Sequence, residues 1–453
     1  MNSHMRAGIV VGSAILALVT TCHSFAQENW LSFRGPGSRG LAADQSIPTK
    51  WTSTENVIWK TDLPGRGWSS PIVVGDNVVL TTVVNSSVSE EAKKGLYFGG
   101  DRSKPPQSEH RWLVLCLDAT TGKTNWERMV KQGVPEFPIH IKNSYASETP
   151  VSDGKNVYVY FGNVGICCFD LLGNEVWRKE MAGNPMRAGW GTASSPVLHD
   201  DKLIIVNDNE KDSYLLVLDK GTGQEIWRKE RDEKSNWSTP YIWANSQRAE
   251  LVTAGTNGVR SYDLDGNELW SLKGMSSITI ATPYVVEDML IISSGYVLDS
   301  KRPIYAIRPG ASGDISVSGD GTSNEFVIWS QPKSAPYNPS TIAIGDKLIV
   351  LYDRGALAGF NLKDGSKVIA DQRIPNGRAF TASPWAIGKR LYCLNEDGVT
   401  FVYNVGDAEG SLELISENPL EADDMSLATP AISNGMLFLR TDKRIYCISK
   451  PKQ

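Results

Sequence analysis

The sequence predicts an all-β chain that folds as an eight-bladed β-propeller of four-stranded blades. A Ser or Thr followed by Pro opens a short apolar run seven times, and an eighth copy, Ser340-Thr341, carries Pro339 just before it. Within these units an Asp or Asn, a Gly turn and a Trp recur in the same order. Short units of this kind bury their apolar faces only by stacking, and radial closure protects the edges of their sheets.

The blades can be numbered by these hydroxyl–Pro anchors. In chain order the anchors are Ser70-Pro71, Thr149-Pro150, Ser195-Pro196, Thr239-Pro240, Thr282-Pro283, Ser340-Thr341, Ser383-Pro384 and Thr429-Pro430. Successive anchors lie 43–46 residues apart, except for a first interval of 79 residues and a fifth of 58. Tight turns such as Gly75-Asp76 follow most anchors, which is typical of hairpins between short strands.

The two ends of the chain predict how the ring closes. Residues 430–450 supply only three strands, whereas residues 57–60 carry the repeat Trp with no strands before it. We therefore expect the N-terminal strand to pair with the C-terminal blade. This gives a propeller of residues 57–450 after an N-terminal lead-in of residues 27–56.

The first 26 residues have the pattern of a secretory signal peptide. After Arg6, residues 7–19 form an apolar run of 13 residues, which is too short to span a bilayer. Ser24-Phe25-Ala26 then supplies a small-x-small cleavage site. We expect a periplasmic or secreted protein without a transmembrane segment; lipidation at Cys22 is the alternative.

Charge and composition restrict the partners. The chain has 46 basic and 51 acidic residues, a net charge of −5, and 41% hydrophobic residues, as in ordinary globular proteins. No basic field exists to attract nucleic acid. His110, His140 and His199 follow the signal peptide without metal-ligand spacing, so no metal site is predicted from them. We expect a monomer.

The repeat explains much of the high tryptophan content. The chain has 14 of them, and six occupy one repeat position, with Ile369 in the seventh copy. These six are Trp59, Trp126, Trp177, Trp227, Trp270 and Trp329. Large apolar side chains at a repeated position are expected to pack one blade against the next.

The repeat resembles a known one. Units such as Cys116-x-Asp118-x-x-Thr121-Gly122-x-x-x-Trp126 look like the pyrroloquinoline-quinone (PQQ) repeat, and the resemblance covers about residues 50–450. It implies the fold of quinoprotein dehydrogenases and of BamB-like propellers, which use the repeat without a quinone. PQQ and Ca²⁺ are the cofactors that the resemblance would allow. The residues alone do not predict a bound cofactor. Because the repeat marks packing, it says little about function.

The adjacent Cys167-Cys168 has two interpretations. Quinoprotein alcohol dehydrogenases use an adjacent-cysteine disulfide ring against PQQ, and this pair resembles it. The repeat register favours the other interpretation, because Cys168 lies two residues before Asp170, where Cys116 and other small residues stand in the other copies. A buried thiol that fills a small core slot is then the expectation.

Candidate ligand-binding residues come from two insertions and from the residues just before the anchors. The insertions, residues 85–110 and 131–147, fall in loops expected on one face of the ring. The residues before the anchors combine aromatic rings, which stack on sugars or quinones, with Arg, which binds oxyanions. The candidates are Arg66, Trp68, His140, Lys142, Asn143, Tyr145, Arg187, Trp190, Lys234, Asn236, Trp237, Tyr337, Asn338 and Arg378. The alternative is that the aromatics seal blade junctions and the arginines pair with nearby acids.

Glu148 is the candidate catalytic residue. It stands two positions before an anchor Pro, where six other copies have Ser or Ala. A carboxylate on a channel-lining strand could serve as a general acid or base or as a Ca²⁺ ligand. A structural acceptor paired with Lys142 is the alternative.

These features leave several functions open. One hypothesis is an exported propeller that binds a small molecule, a saccharide or an envelope protein partner on its channel face, without quinone. The second is an enzyme that uses an Arg, Trp and Glu pocket, either as a PQQ-dependent dehydrogenase of sugars or alcohols or as a lyase or hydrolase of an anionic saccharide. A third, an outer-membrane assembly scaffold, is weakened by the poor fit of Cys22 to a lipidation site.

Overall fold

The computed structural model describes residues 29–43, 46–87, 91, 93–96, 99–407, 410 and 412–450. The predicted signal peptide lies outside them. Two N-terminal strands, β1 (Leu41–Ala42) and β2 (Val57–Asp62), precede the first blade, and two short 3₁₀ turns span Pro36–Ser38 and Arg187–Gly189. No helix in the described part of the chain is long and apolar enough to cross a membrane.

The first four blades follow the anchors in chain order. Blade 1 contains β3 (Ile72–Val74), β4 (Asn77–Asn85), β5 (His110–Asp118) and β6 (Thr124–Gly133); blade 2 contains β7 (Val151–Ser152), β8 (Asn156–Phe161), β9 (Gly165–Asp170) and β10 (Glu175–Glu180). Blade 3 contains β11 (Val197–His199), β12 (Lys202–Asn207), β13 (Tyr214–Asp219) and β14 (Glu225–Glu230); blade 4 contains β15 (Tyr241–Ala244), β16 (Ala249–Ala254), β17 (Val259–Tyr262) and β18 (Glu268–Leu272).

The last four blades complete the eight sheets. Blade 5 contains β19 (Tyr284–Val286), β20 (Met289–Ser293), β21 (Ile304–Ile307) and β23 (Val327–Gln331); blade 6 contains β24 (Ile342–Ile344), β25 (Lys347–Tyr352), β26 (Ala356–Asn361) and β27 (Lys367–Arg373). Blade 7 contains β28 (Trp385–Ile387), β29 (Arg390–Leu394), β30 (Val399–Val405) and β31 (Leu412–Pro419); blade 8 contains β32 (Ala431–Ser433), β33 (Met436–Arg440), β34 (Arg444–Ile448) and the N-terminal β2. The all-β, eight-bladed propeller is confirmed.

Two blades carry a fifth strand that the repeat did not predict. In blade 4, β22 (Gly313–Asp314) runs parallel to the outer strand β18, and it comes from the long connection between β21 and β23. In blade 7, β1 runs parallel to the inner strand β28. Both additions cover a strand edge that would otherwise be unpaired.

The repeated tryptophans join neighbouring blades. The Trp126 indole donates to the carbonyl of Leu171 in blade 2 (3.0 Å), and its ring lies so close to Gly173 that a Cβ there would be 2.7 Å from it. The same arrangement recurs at Trp59, Trp177, Trp227 and Trp329. Trp270 departs from it, because its indole donates to Glu250 of its own blade (2.7 Å).

The adjacent cysteines lie in the core, as their repeat register predicted. Cys168 pairs across the sheet with Trp177, as Cys116 does with Trp126. Cys167 and Cys168 are both free and buried, and they belong to the apolar clusters on opposite sides of blade 2. Burial raises the pKa of each thiol to about 12, which is typical of unreactive core cysteines.

The lead-in crosses the inner strands of the ring. Trp30 exchanges two backbone hydrogen bonds with Val73 of blade 1 (2.9 Å each), and the carbonyl of Leu31 accepts from Ser152 of blade 2 (2.9 Å). Further along, the fully buried Arg34 donates to the carbonyl of Thr341 in blade 6 (2.8 Å). The segment therefore spans the channel from blades 1 and 2 to blades 6 and 7.

Candidate functional site

The channel contains a cavity of about 550 Å³, within the range of small-molecule sites, roughly 300–1,000 Å³. Every blade lines it with its anchor hydroxyl and with the residue two positions earlier. Side chains of an extended segment alternate, so in seven blades the residue between those two does not line the cavity; the exception is Ala428 of blade 8. The cavity is therefore surrounded by two stacked rings of eight side chains each.

The first ring, called the hydroxyl ring, is chemically uniform. Its members are Ser70, Thr149, Ser195, Thr239, Thr282, Ser340, Ser383 and Thr429. Six hydroxyl oxygens accept the N–H of the preceding blade's anchor at 2.9–3.1 Å, beginning with Ser70 N–H to Thr149 Oγ1. The following Pro has no N–H, which suits the first position of a strand. The repeat anchor thus both joins neighbouring blades and forms the inner surface.

The second ring, called the variable ring, differs from blade to blade. Its members are Trp68, Ser147, Ala193, Trp237, Ile280, Asn338, Thr381 and Leu427. It lies on the side of the hydroxyl ring where the inner strands begin. That side is the channel mouth.

The opposite end of the cavity is closed by the lead-in. Its contacts with Val73 and Ser152 fall three residues beyond the anchor hydroxyls, as does the contact of Gly40 O with Ala386 N–H (2.8 Å). Phe33 of this segment lines the cavity. The site is consequently a cup with Phe33 in its floor.

Aromatic side chains of blades 3 to 6 form one side of the mouth. The rings of Trp190 and Trp237 pack at an interplanar angle of 37° with centroids 5.6 Å apart, and those of Tyr296 and Tyr337 pack at 58° with centroids 5.2 Å apart. The Trp237 indole is held by the carbonyl of Gly191 (2.7 Å). Such paired rings present flat apolar surface with polar edges, which suits sugar rings and other flat ligands.

The two insertions provide a polar side. Asp101 of the first insertion accepts a hydrogen bond from the Trp190 indole (2.6 Å) and lines the cavity. In the second insertion, His140 Nδ1 accepts from Lys142 N–H (3.1 Å), so Nε2 carries the proton and donates to the carbonyl of Gly99 (2.8 Å). Burial lowers the pKa of His140, and the ring is neutral at pH 7.

A buried ion pair fixes the first insertion at the mouth. Lys142 Nζ lies 2.5 Å from Glu396 Oε1, whose side chain is fully buried. Glu396 also accepts from Gly95 N–H (2.8 Å) and from the Thr381 hydroxyl (2.8 Å), while Lys142 Nζ donates to Gly95 O (3.0 Å). Blades 1, 2 and 7 are thereby joined around Gly95.

Glu148 lies behind the cavity wall. Its neighbours Ser147 and Thr149 line the cavity, whereas Glu148 is buried and accepts from Gly162 N–H (3.1 Å) and the Thr192 hydroxyl (2.5 Å). Burial raises its pKa. The alternative interpretation paired Glu148 with Lys142, and that partner is wrong, because Lys142 pairs with Glu396. Its contacts are those of a structural acceptor between blades 2 and 3.

The three predicted arginines do not line the cavity. Arg66 donates to the carbonyl of Ile141 and lies 5.5 Å from the ring of Trp68. Arg187 donates to the carbonyl of Ser277 (3.2 Å), and the exposed Arg378 pairs with Asp397 (3.3 Å). The expectation of a pocket lined by these three cations is wrong, because local carbonyls, rings and acids hold them at its rim.

Three other predicted residues also lie outside the cavity. Tyr145 is buried between blades 1 and 2, where its hydroxyl donates to Phe137 O (2.7 Å). Asn236 is buried and donates to Asp208, and the exposed Lys234 donates to Glu210 O (3.3 Å). The residues that the structure does bring together at the cavity are Trp68, His140, Lys142, Asn143, Trp190, Trp237, Tyr337 and Asn338.

Several lining residues were missed. Phe33, Asp101, Tyr296 and Arg354 line the cavity; Asp101 lies in the first insertion but was not among its named candidates, and the other three come from the lead-in and from turns. The hydroxyl ring was visible as the repeat anchor, but its function as a surface was not recognised.

The residues do not match the quinone site that the resemblance implied. Cys167 and Cys168 face the cores on either side of blade 2 and not the channel. Glu148 does not reach the cavity, and no group of three His, Cys, Asp or Glu side chains in the described ranges could hold a metal. A PQQ molecule with Ca²⁺ therefore lacks both its disulfide platform and its ion ligands here.

Fold and site together define an eight-bladed β-propeller whose channel is a cup closed at one end. A family model described as outer membrane protein assembly factor BamB matches residues 107–211 and 211–453. The chain belongs to this family. No curated protein sequence matches it.

Solved structures share the fold at low sequence identity. BamB from Moraxella catarrhalis is 13% identical, with 88% of this chain and 98% of that chain covered and a TM-score of 0.57. The quinohemoprotein alcohol dehydrogenase from Comamonas testosteroni is 12% identical, with 93% and 80% covered and a TM-score of 0.60. The quinohemoprotein alcohol dehydrogenase ADHIIG from Pseudomonas putida HK5 is 10% identical, with 93% and 80% covered and a TM-score of 0.54.

Proposed function

We propose that this chain is an exported binding protein whose channel cup holds a saccharide. The observation that carries the proposal is the aromatic side of the mouth, where the rings of Trp190 and Trp237 pack with centroids 5.6 Å apart beside a cup of about 550 Å³. Flat indole faces bind the apolar face of a sugar ring, and the hydroxyl ring offers hydrogen bonds to sugar oxygens. The signal-peptide pattern supports a periplasmic or secreted location, and the chain is proposed to act as a monomer.

The enzyme hypothesis has less support. Glu148, its candidate catalytic group, accepts two hydrogen bonds behind the cavity wall. A general acid or base must come within hydrogen-bond reach of its substrate. The lining carboxylate, Asp101, already accepts the Trp190 indole at 2.6 Å. Binding without turnover is therefore the function that the geometry supports best.

A glycan array followed by calorimetry tests the proposal. The mature protein should bind at least one class of oligosaccharide, and Trp190→Ala should weaken that binding about tenfold, which corresponds to about 1.4 kcal/mol of lost stacking. Ile226→Ala is the control, because Ile226 is an apolar residue that is 44% exposed on the outer strand β14, away from the cavity. Equal weakening by both variants, or binding to no glycan, would contradict the proposal.

A protein partner is the second candidate. The family description, an outer membrane protein assembly factor, favours an envelope protein. Leu96 at the cavity and Leu298, next to the lining residue Val297, are 39% and 66% exposed, so apolar surface is available at the mouth. Crosslinking from position 96 in envelope extracts should capture one outer-membrane protein, and Leu298→Asp should abolish the capture. Capture that survives Leu298→Asp would argue against docking at the mouth.

A further inference from the structure

The cup has more hydrogen-bond donors than acceptors. Six members of the hydroxyl ring accept a backbone N–H, but none of the eight donates its own hydrogen to a described residue. A hydroxyl both donates and accepts, so the O–H hydrogens of this ring are not used within the described part of the chain. Thr282 Oγ1, which accepts no anchor N–H, is buried and has no hydrogen-bond partner among the described residues.

Several acceptors at and near the cup are used within the protein. Asn143 Oδ1 accepts from Ser144 N–H (2.8 Å) and from the Ser147 hydroxyl (2.6 Å). Asp101 Oδ1 accepts the Trp190 indole, and the Glu396 carboxylate is occupied by Lys142 and Gly95. A ligand that uses the O–H groups of the hydroxyl ring must bring acceptors of its own.

One lining cation has no partner in the described part of the chain. Arg354 follows β25 in blade 6; it is exposed, lines the cup and makes no hydrogen bond or ion pair to a described residue. The adjacent Asp353 does not pair with it; its oxygens accept Tyr337 N–H (2.7 Å), Asn338 N–H (2.8 Å) and the Asn338 amide (2.8 Å). A guanidinium without a carboxylate partner is a ready site for an oxyanion.

We propose that the ligand of the cup is an anionic saccharide, with Arg354 pairing its carboxylate or sulfate group. This inference rests on the proposed saccharide function and narrows it. The sugar ring lies against Trp190 and Trp237, its oxyanion faces Arg354, and its remaining oxygens accept from the hydroxyl ring. Arg354 is thus the residue that selects acidic over neutral sugars.

Three matched probes test this selection. Galactotriose, trigalacturonate and a sulfated galactotriose are titrated into the mature protein by calorimetry at low and moderate salt. At least one anionic probe should bind tenfold or more tightly than the neutral one, and salt should reduce that preference. The charged probe that binds better identifies the natural oxyanion as carboxylate or sulfate.

Variants assign the preference to one side chain. Arg354→Gln should lower the affinity for the anionic probe to that for galactotriose and leave galactotriose binding unchanged. Arg373→Gln is the matched control, because Arg373 is an exposed arginine of the same blade on its outer strand, outside the cup. It should leave the preference unchanged.

The outcomes separate the two proposals. If galactotriose binds as tightly as both anionic probes, or if Arg354→Gln keeps the preference, the anionic selection is overturned while the saccharide site stands. If none of the three probes binds the wild-type protein, this inference is overturned together with the choice of a galactose-type sugar, and the glycan array then decides the saccharide function separately.

Discussion

Replacing Lys142 with Met tests the ion pair that holds the first insertion at the cavity. The Glu396 side chain is fully buried, and Lys142 Nζ, 2.5 Å away, is its cationic partner. Removing one partner of a buried pair typically costs about 3–5 kcal/mol, because the remaining charge is uncompensated. Glu396→Gln alone should also destabilise, since it leaves the largely buried ammonium of Lys142 without its counter-ion.

The double variant Lys142→Met/Glu396→Gln should recover most of this loss. Gly95 N–H donates to Oε2 and the Thr381 hydroxyl to Oε1 (2.8 Å each), so in Glu396→Gln the amide oxygen can still accept from Gly95 N–H while the amide nitrogen donates to the Thr381 hydroxyl oxygen. We expect the double variant to lie within about 2 kcal/mol of wild type, with a coupling energy of at least about 2 kcal/mol. Urea unfolding followed by tryptophan fluorescence measures all four free energies. If the two single-variant losses of unfolding free energy sum to the loss of the double variant within about 0.5 kcal/mol, the reasoning is refuted.

Two further predictions concern blade docking and pH. Gly173→Ala should destabilise the protein by about 3–5 kcal/mol, since the new Cβ would lie 2.7 Å from Trp126. Gly154→Ala, at a similar positive φ but with open space around it, should cost about 1–2 kcal/mol. Equal losses of unfolding free energy in urea would contradict the docking contact. Burial raises the pKa of Asp353 to about 6, so its contribution to stability is full below about pH 4 and is lost as the pH rises through 6. Wild type should therefore lose about 3 kcal/mol relative to Asp353→Asn between pH 4 and pH 7, and a difference that is constant or of opposite sign would exclude this assignment.

The fold could be predicted because a propeller repeats its local rules. The anchor, the Gly turn and the Trp occur in most blades, and each has a local physical reason that is visible in the sequence. The additional strands β1 and β22 could not be predicted, since both pair in parallel with a strand that is distant in sequence. Residues 313–314 have no alternating pattern that marks a strand.

The candidate site was predicted in part. The aromatic residues before the anchors were found because they stand at repeat positions that face the channel, and Trp190 and Trp237 do line it. Glu148 was assigned to the wrong face: side chains alternate along the strand, and Ser147 and Thr149 occupy the channel side. Strict application of this alternation to the anchors would have placed it correctly.

The remaining lining residues depend on ring closure. Phe33, Asp101 and Arg354 come from a lead-in, an insertion and a tight turn that are hundreds of residues apart at the extremes. They line the same cavity only because eight blades close around one axis. No local pattern in the sequence indicates that these residues lie near one another in the folded chain.

The most direct test of the account is a crystal structure of the mature protein with the tightest-binding oligosaccharide from the array. The account predicts one sugar ring against the Trp190–Trp237 pair, at the channel mouth above the hydroxyl ring. It predicts in addition that an oxyanion of the sugar contacts Arg354. A sugar bound on the outer face of a blade, with the cup free of it, would contradict the central claim that the channel cup is the binding site.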